Sequence, residues 1–233
     1  MQSYTYKGRS KLYRKPVEST EKTFLFKKMG FIIAGSQPIF DTKSYGNKLL
    51  YTYKNFQILD YYLDLFNTIS EEPEIIITTG ISHKDFVKHQ RKDEFSIVEN
   101  QMYEFSNSAE DLRLGLLALR SPHAIFIDSV FLPTIDTMKY LLTGREMSSK
   151  IFTKRLNDNY IGVSTGEKYI SSFDFESELK LTGMYFINTN DVDRIRKKCI
   201  GNTFSKNKFA FELLSDAKAT VIIDETNSIL VSR

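Results

Sequence analysis

Two places in the sequence carry side chains that could do chemistry. The first is a polar loop, residues 36–47, which is followed immediately by Lys48. The second is Asp128, which directly follows the apolar run of residues 124–127. An apolar run, residues 31–34, precedes the loop and an amphipathic stretch follows it, an order that opens a nucleotide-binding α/β unit. Because ligands of such units bind beyond the carboxyl ends of the strands, the loop and Asp128 are the candidate places for chemistry.

The elements that must position these residues can be predicted from hydrophobic periodicity. Residues 31–34 form a continuous β-prone run ending at Gly35, which is typical of a buried strand in a parallel sheet. From Ile58 onward, apolar residues recur at mixed helical spacing and predict an amphipathic helix. Further strands are predicted over residues 74–80, 95–98, 124–127, 150–156, 160–164, 168–173 and 181–187, and further helices over residues 85–90, 106–119, 136–142, 189–198 and 209–214. A β-hairpin of residues 220–224 with 228–231 is predicted to close the chain.

Composition restricts the class of protein. The chain has 233 residues, of which 41% are hydrophobic and 26% charged, and this is enough for one sizeable core. The net charge of +3 gives no support to nucleic-acid binding. The single cysteine, Cys199, cannot form an internal disulfide, and no run is long and apolar enough for a membrane span or a signal peptide. We therefore expect a soluble cytoplasmic protein without a membrane association.

The first 22 residues differ from the rest of the chain. They contain few aliphatic side chains and interleave basic residues with Tyr4, Tyr6 and Tyr13. Such a segment can bury little by itself, so we expect an extended basic arm at residues 1–22, followed by an α/β domain at residues 23–233. The arm is either a flexible tail or a docking segment, in which case it would mediate self-association or bind a protein partner.

Several segments, taken in order, resemble the nucleotidyltransferase superfamily with the GT-A-like fold, especially the sugar-phosphate and phosphocholine nucleotidylyltransferases. The resemblance covers most of residues 31–224 and is carried by segments from five parts of the chain: FIIAG with NKLLYTYKNFQILDYYLDLF, EIIITTG, IVENQMYEFSNSAEDLRLGLLAL, IFIDSVF and LTGMYFINTNDVDRIR. It implies a three-layer α/β/α fold with a mixed, mostly parallel sheet. It also implies transfer of NMP from an NTP, the nucleotide substrate, to a phosphorylated sugar or alcohol, with release of pyrophosphate and with Mg²⁺ as cofactor.

The resemblance also implies roles for individual residues. Lys48 matches the lysine that binds phosphate, and Asp128 matches the aspartate that binds Mg²⁺, so both are candidate catalytic residues. Gly35 and Ser36 begin the nucleotide loop. The remaining candidates are Asn100 and Asn107, in the segment beside the nucleotide base, and Asp224 or Asp174 as a second metal ligand.

The loop departs from the pattern of the family, which is G-x-G-x-R. Here the loop begins Gly35-Ser36-Gln37-Pro38, without a second glycine or an arginine, and Pro38 removes a backbone donor. Lys43 replaces the missing cation only in part, because an ammonium does not reproduce the fork of a guanidinium. An alternative is therefore a catalytically inactive protein of this fold, a structural or assembly component that uses its arm.

Each candidate residue also has an ordinary structural interpretation. Lys48 could be a surface lysine, and Asp128 could cap the turn after its strand. Asn100 and Asn107 could be turn formers. The sequence leaves these alternatives open.

Overall fold

The computed structural model describes only part of the chain. The described residues are 26–36, 47–80, 82–128, 130–142, 148–156, 161–166, 170–200, 208–215, 219–225 and 229–230. The arm predicted at residues 1–22 lies outside them, and so does most of the predicted nucleotide loop, residues 37–46. The predictions for these two segments therefore remain untested.

The strands follow the apolar, β-prone runs of the sequence. They are β1 (Phe26–Gly35), β2 (Thr52–Tyr53), β3 (Phe56–Gln57), β4 (Ser70–Thr79), β5 (Ser96–Glu99), β6 (Ala124–Ile127), β7 (Phe131–Leu132), β8 (Lys150–Arg155), β9 (Gly162–Thr165), β10 (Ile170–Asp174), β11 (Leu179–Ile187), β12 (Thr220–Ile223) and β13 (Ile229–Leu230). The α-helices are α1 (Ile58–Ile69), α2 (His83–Val87), α3 (Ser108–Ala118), α4 (Ile135–Leu142), α5 (Thr189–Ile200) and α6 (Ala210–Ser215). A 3-10 helix, Lys48–Leu50, precedes β2.

A mixed sheet of nine strands forms the centre of the fold, in the order β10-β9-β11-β6-β1-β4-β5, with β8 paired to β11 and β12 paired to β8. Strand β1 pairs in parallel with β4 and β6, so Ile32 lies between Ile76 and Phe126. Only β10 and β11 run against the other strands of this sheet. The predicted mixed, mostly parallel sheet is confirmed, and its parallel strands bring their carboxyl ends to one edge.

Helices cover both faces of the sheet, so the predicted three layers are present. On one face, α1 packs on β1 through stacked rings of Phe31 and Phe66, whose centroids are 3.9 Å apart. On the other face, α3 approaches β1 at Gly115, where an added Cβ would lie 2.2 Å from Ile32 Cγ2. This close approach fixes the first turn of α3 beside the carboxyl edge. No helix in the described part of the chain is long and apolar enough to cross a membrane.

The predicted C-terminal hairpin is wrong. Strand β12 pairs in parallel with β8, where Ile222 lies opposite Phe152, and β13 pairs with β7 instead. Periodicity identified both strands, but a local pattern does not encode a strand's partner. Pairing with β8 adds β12 to the main sheet and lets Ile222 pack against the buried residues on the α1 face.

Candidate functional site

The predicted site residues that the structure describes lie mainly at the carboxyl edge of the sheet. Gly35 ends β1, and Ser36 follows it. Asn100 follows β5, Asp128 follows β6 and Asp224 follows β12. All four strands run in the same direction, so the topology delivers these residues to the same edge.

Four of the side chains at this edge form a buried hydrogen-bonded group, which we call the edge cluster: Ser36, Asn100, Ser106 and Asp111. Ser36 Oγ donates to Asp111 Oδ2 over 2.6 Å. The Nδ2 atom of Asn100 lies 3.1 Å from Asp111 Oδ1 and 3.2 Å from Ser106 Oγ. The cluster therefore joins the ends of β1 and β5 to the first turn of α3. The structure places Ser36 and Asn100 together at this edge, with their side chains hydrogen-bonded inside the protein.

Asp111 holds this cluster together and was not identified as a site residue from the sequence. Burial raises the pKa of its carboxyl to about 6, against the opposing effect of hydrogen bonds from Ser36, Asn100 and Thr78. The sequence pattern by itself indicates only an acidic residue near the start of the helix predicted over residues 106–119. A usable signal did exist, because Asp111 directly precedes Leu112 and lies one helical turn before Gly115, on the buried face of α3.

Asp128 occupies the middle of the edge. Its backbone N–H donates to Gly183 O over 2.9 Å, at a bulge where Gly183 has a φ of 74° that favours glycine. Burial, and then the negative charge of Asp111, raise the pKa of the Asp128 carboxyl to about 7, against the opposing effect of hydrogen bonds from Ser108 and Tyr185. The residue is nevertheless partly exposed. Asp128 is thus a residue partly exposed at the edge, with a carboxyl that is hydrogen-bonded toward α3 and β11 and has a pKa of about 7.

Lys48 is positioned by the residue before it. Asn47 Oδ1 accepts a hydrogen bond from Leu49 N over 3.0 Å, which caps the 3-10 helix at its start. The side-chain amide of Asn47 also donates to Gly35 O. Gly35 and Lys48, which flank the loop in sequence, are therefore held near each other. Lys48 itself is half-buried.

Asn107 is the N-cap residue of α3, and its backbone carbonyl accepts from Glu110 N over 2.9 Å. Its side chain does not cap the helix and is partly buried. A role in binding the nucleotide base remains a prediction.

Asp224 and Asp174, the two candidates for a second metal ligand, differ in what surrounds them. Asp224 has a buried carboxylate 3.3 Å from Lys154 Nζ. Asp174 accepts hydrogen bonds from Ser164 Oγ and from the backbone N–H groups of Glu176 and Ser177, and these lower its pKa. The oxygens of Asp174 are thus committed to a turn and the carboxylate of Asp224 to Lys154, and β12 is separated from β6 by β8 and β11, so neither contact set favours sharing a metal with Asp128.

The described residues contain no group of three or more His, Cys, Asp and Glu side chains that could hold a metal ion. Mg²⁺ does not require such a group, because it keeps several waters and takes one or two carboxylates together with substrate phosphates. Asp128 offers one such carboxylate, in a residue that is partly exposed at the edge. The residues present are therefore compatible with Mg²⁺ held mainly by Asp128.

Comparison with known proteins identifies the fold. The chain resembles the inositol-1-phosphate CTP transferase from T. maritima, with a TM-score of 0.65, 15% identity and coverage of 88% of each chain. It also resembles the CTP:phosphocholine cytidylyltransferase from Streptococcus pneumoniae, with a TM-score of 0.64, 16% identity and coverage of 89% of this chain and 94% of that one.

A third similar structure is the nucleoside-diphosphate-sugar pyrophosphorylase from Vibrio cholerae, with a TM-score of 0.57, 14% identity and coverage of 87% of this chain and 94% of that one. No protein-family model matches the sequence, and no curated protein matches it. The predicted nucleotidyltransferase-like fold is confirmed. At these identities the likeness establishes the fold and not the activity.

Proposed function

We propose that the protein binds a nucleoside triphosphate with Mg²⁺ and transfers its NMP group to a phosphorylated sugar or alcohol. The observation that carries this proposal is the position of Asp128, an aspartate that follows β6 at the centre of the edge where β1 also ends. The similar structures support the proposal, because two of them are named as cytidylyl or CTP transferases for phosphorylated alcohols.

In the proposed reaction, a phosphate oxygen of the acceptor attacks the α-phosphorus of the triphosphate. A bond forms between that oxygen and the α-phosphorus, the bond from the α-phosphorus to the bridging oxygen breaks, and pyrophosphate leaves with the electron pair. Lys48 would stabilise negative charge on the phosphates, and Asp128 would hold the metal. Mg²⁺, when bound, would neutralise charge on the phosphoryl oxygens.

The edge cluster would shape the site rather than contact the phosphates with its side chains. Ser36 Oγ already donates to Asp111, and Asn100 Nδ2 is directed to Asp111 and Ser106. Backbone groups at Gly35 and Ser36 would therefore be the parts that approach the phosphates. Asn100 would set the course of the chain beside the base, since its Oδ1 accepts from Met102 N over 3.0 Å.

The pKa of Asp128 makes metal binding dependent on pH in this proposal. With a pKa of about 7, a fraction of Asp128 is protonated at neutral pH, and a proton must leave before the carboxylate can bind Mg²⁺. Binding should therefore release a proton and strengthen as the pH rises through about 7.

The competing function is a structural or assembly role without catalysis. The feature that favours it is the loop sequence, in which Pro38 removes a backbone donor and the expected second glycine and arginine are missing. Loss of one charged donor reduces rates by roughly 10²-fold or more in well-studied sites. A protein of this kind would keep the fold and bind no triphosphate.

Calorimetric titration with each of the four common nucleoside triphosphates, with and without Mg²⁺, decides between the two functions. We expect Mg²⁺-dependent binding of at least one of them, and loss of the Mg²⁺ dependence in Asp128→Asn and Asp128→Ala. The matched control is Asp136→Asn, because the side chain of Asp136 is 92% exposed on α4. No binding of any triphosphate by the wild-type protein would refute the proposed activity. Binding that keeps its Mg²⁺ dependence without Asp128 would remove Asp128 from the site.

A further inference from the structure

His83 lies at the carboxyl edge of the sheet, beside the start of the loop. Its backbone N–H donates to Gly80 O over 3.1 Å, and its imidazole Nδ1 lies 2.8 Å from the hydroxyl of Thr79, the last residue of β4. Gly80 packs so closely on the loop start that an added Cβ would lie 2.5 Å from Ser36 O. The backbone and the side chain of His83 are therefore both attached to the end of β4, next to the residue that opens the loop.

The imidazole of His83 is on the α1 face of this edge. Thr78 and Thr79 are consecutive residues of β4, so their side chains point to opposite faces of the sheet. Thr78 hydrogen-bonds to Asp111 of α3 and therefore faces that helix. Thr79 and the ring bound to it are on the other face, away from the edge cluster.

Lys48 and His83 flank the end of β1 on the same face. A Cβ added to Gly35 would lie 3.1 Å from Leu49 Cδ1 and 3.3 Å from Phe86 Cζ. Leu49 directly follows Lys48 in the 3-10 helix. Phe86 lies one turn after His83 in α2. The two segments that carry a lysine and a histidine thus meet at the glycine from which the loop departs.

The hydroxyl of Thr79 determines which nitrogen of the His83 ring carries a hydrogen. Thr79 is fully buried, and His83 Nδ1 is the only side-chain partner of its hydroxyl among the described residues. A buried donor that is left unpaired is costly, so Thr79 donates and Nδ1 accepts. In a neutral imidazole the other nitrogen then carries the hydrogen. His83 is therefore an Nε2–H donor.

The Nε2–H group of His83 is available to a ligand. His83 is partly exposed, and in the part of the chain that the structure describes its ring makes no hydrogen bond besides that to Thr79. His89 differs in this respect, because its Nε2 lies 2.6 Å from Gln57 Oε1 and its Nδ1 accepts from Arg91 N. Both ring nitrogens of His89 are used inside the protein, whereas His83 keeps one donor at the edge.

We propose that His83 is a binding residue for the phosphates of the nucleoside triphosphate, to which it donates from Nε2. This inference rests on the proposed function and adds a residue that the sequence pattern did not indicate. The loop lacks the arginine of the family pattern, and Pro38 removes a backbone donor. A hydrogen bond from the imidazole to an ionised phosphate oxygen would replace one of these donors. Lys48 would add positive charge, and the bond to Thr79 would fix the direction of the imidazole donor.

Nitrogen-15 NMR of the full-length protein tests the state of the ring without any ligand. The chain contains only three histidines, so their ring signals can be assigned by substitution. At alkaline pH we expect His83 to be the Nε2–H tautomer in the wild-type protein. Thr79→Val, which keeps the shape of the side chain but removes the hydroxyl, should give a mixture of both tautomers. An Nδ1–H ring in the wild-type protein would overturn the proposal.

Calorimetric titration of the full-length protein with nucleoside triphosphate and Mg²⁺ tests the contact. His83→Asn keeps an acceptor for Thr79 but has no group at the position of Nε2, and we expect it to weaken the affinity by roughly tenfold or more. His83→Gln places an amide N–H near that position and should retain part of the affinity. The control is Lys88→Met, which removes an exposed charge at the end of α2. Equal affinity of His83→Asn and wild type would overturn the proposal.

Tripolyphosphate, which has neither sugar nor base, separates this contact from the proposed function. Its affinity should fall in His83→Asn by about the same factor as that of the nucleoside triphosphate. A dependence on His83 that is confined to the nucleoside triphosphate would overturn the contact with phosphate. Tripolyphosphate binding that depends on His83, in a protein that binds no nucleoside triphosphate, would support the contact and refute the transfer reaction. Binding of neither ligand by the wild-type protein would overturn both.

Discussion

Ser36 and Asp111 are joined by a hydrogen bond of 2.6 Å, although 75 residues separate them in the chain. Ser36 follows the central strand β1, and Asp111 lies in the first turn of α3. The bond therefore ties the point where the chain leaves the sheet to the helix behind the sheet. Asn100 completes the connection from β5. The edge from which the proposed nucleotide loop departs is held by buried polar contacts rather than by apolar packing alone.

The first prediction concerns the pH dependence of stability. The pKa of Asp111 is about 6 in the folded protein and is expected near its ordinary value of 3.8 when the chain unfolds. The folded state thus holds the proton more tightly, and the stabilisation is full below about pH 4 and is lost as the pH rises through about 6. The difference corresponds to roughly 3 kcal/mol at most. Urea unfolding of Asp111→Asn should therefore show that the variant gains stability relative to wild type between about pH 4 and pH 7.

The control for this experiment is Asp136→Asn. Because the side chain of Asp136 is 92% exposed, this substitution should leave the pH profile unchanged. Asp111→Ala should be less stable than Asp111→Asn, because it leaves Ser36 and Asn100 without their buried partner at a cost of about 1–3 kcal/mol. A pH profile for Asp111→Asn that is parallel to the wild-type profile would show that Asp111 does not titrate in this range.

The second prediction concerns Asn47, which links the two ends of the loop. Asn47→Ala loses both the cap on Leu49 N and the hydrogen bond to Gly35 O, and we expect it to lower the free energy of unfolding by about 1–2 kcal/mol. Asn47→Asp keeps the cap but loses the donor, so it separates the two contributions. The control Asn67→Ala removes an exposed amide that bonds to Glu94 and should change stability by less than about 0.5 kcal/mol. Equal stability of Asn47→Ala and wild type would mean that neither bond contributes.

The third prediction concerns Lys48 and applies to the proposed activity. Lys48→Met should weaken binding of the preferred nucleoside triphosphate by roughly tenfold or more, because a charge-assisted contact to phosphate is lost. Lys48→Arg should retain part of the affinity, since the positive charge remains. Lys139→Met, at a lysine whose side chain is 55% exposed on α4, is the control. If calorimetry gives the same affinity for Lys48→Met and wild type, Lys48 is a structural residue of its 3-10 helix.

The fourth prediction tests the packing of α3 on the sheet. Alanine in place of a helical glycine ordinarily stabilises by up to about 1 kcal/mol. At Gly115 the added Cβ would lie 2.2 Å from Ile32 Cγ2, so we expect Gly115→Ala to destabilise by about 1–3 kcal/mol instead. The double variant with Ile32→Ala should be more stable than the sum of the two single effects predicts. Strict additivity in thermal or urea unfolding would argue against this contact.

The fifth prediction concerns the proposed arm. Deletion of residues 1–22 should leave the free energy of unfolding nearly unchanged, because the buried residues of the described core begin at Phe26. If the arm mediates association, the deletion should also convert any oligomer to a smaller species in sedimentation velocity. Unfolding of the truncated chain, or an unchanged state of association, would contradict the role given to the arm.

Much of the framework follows from the sequence by itself. The run at residues 31–34 and the helical spacing after Ile58 predicted β1 and α1, since buried strands and amphipathic helices leave local periodic patterns. The position of Asp128 at the carboxyl edge also follows from the sequence. A run of apolar residues predicted β6, and parallel strands bring their carboxyl ends to the same edge. The order of the segments predicted the nucleotidyltransferase-like fold, which the similar structures confirm.

Tertiary structure decided how the residues at that edge meet. The bond from Ser36 to Asp111 and the pairing of β12 with β8 join segments far apart in the chain. No local pattern encodes such contacts, because strand partners and buried polar partners depend on which surfaces the folded chain brings together. The raised pKa of Asp111 has the same origin, since burial in three dimensions and not residue type sets the cost of its charge.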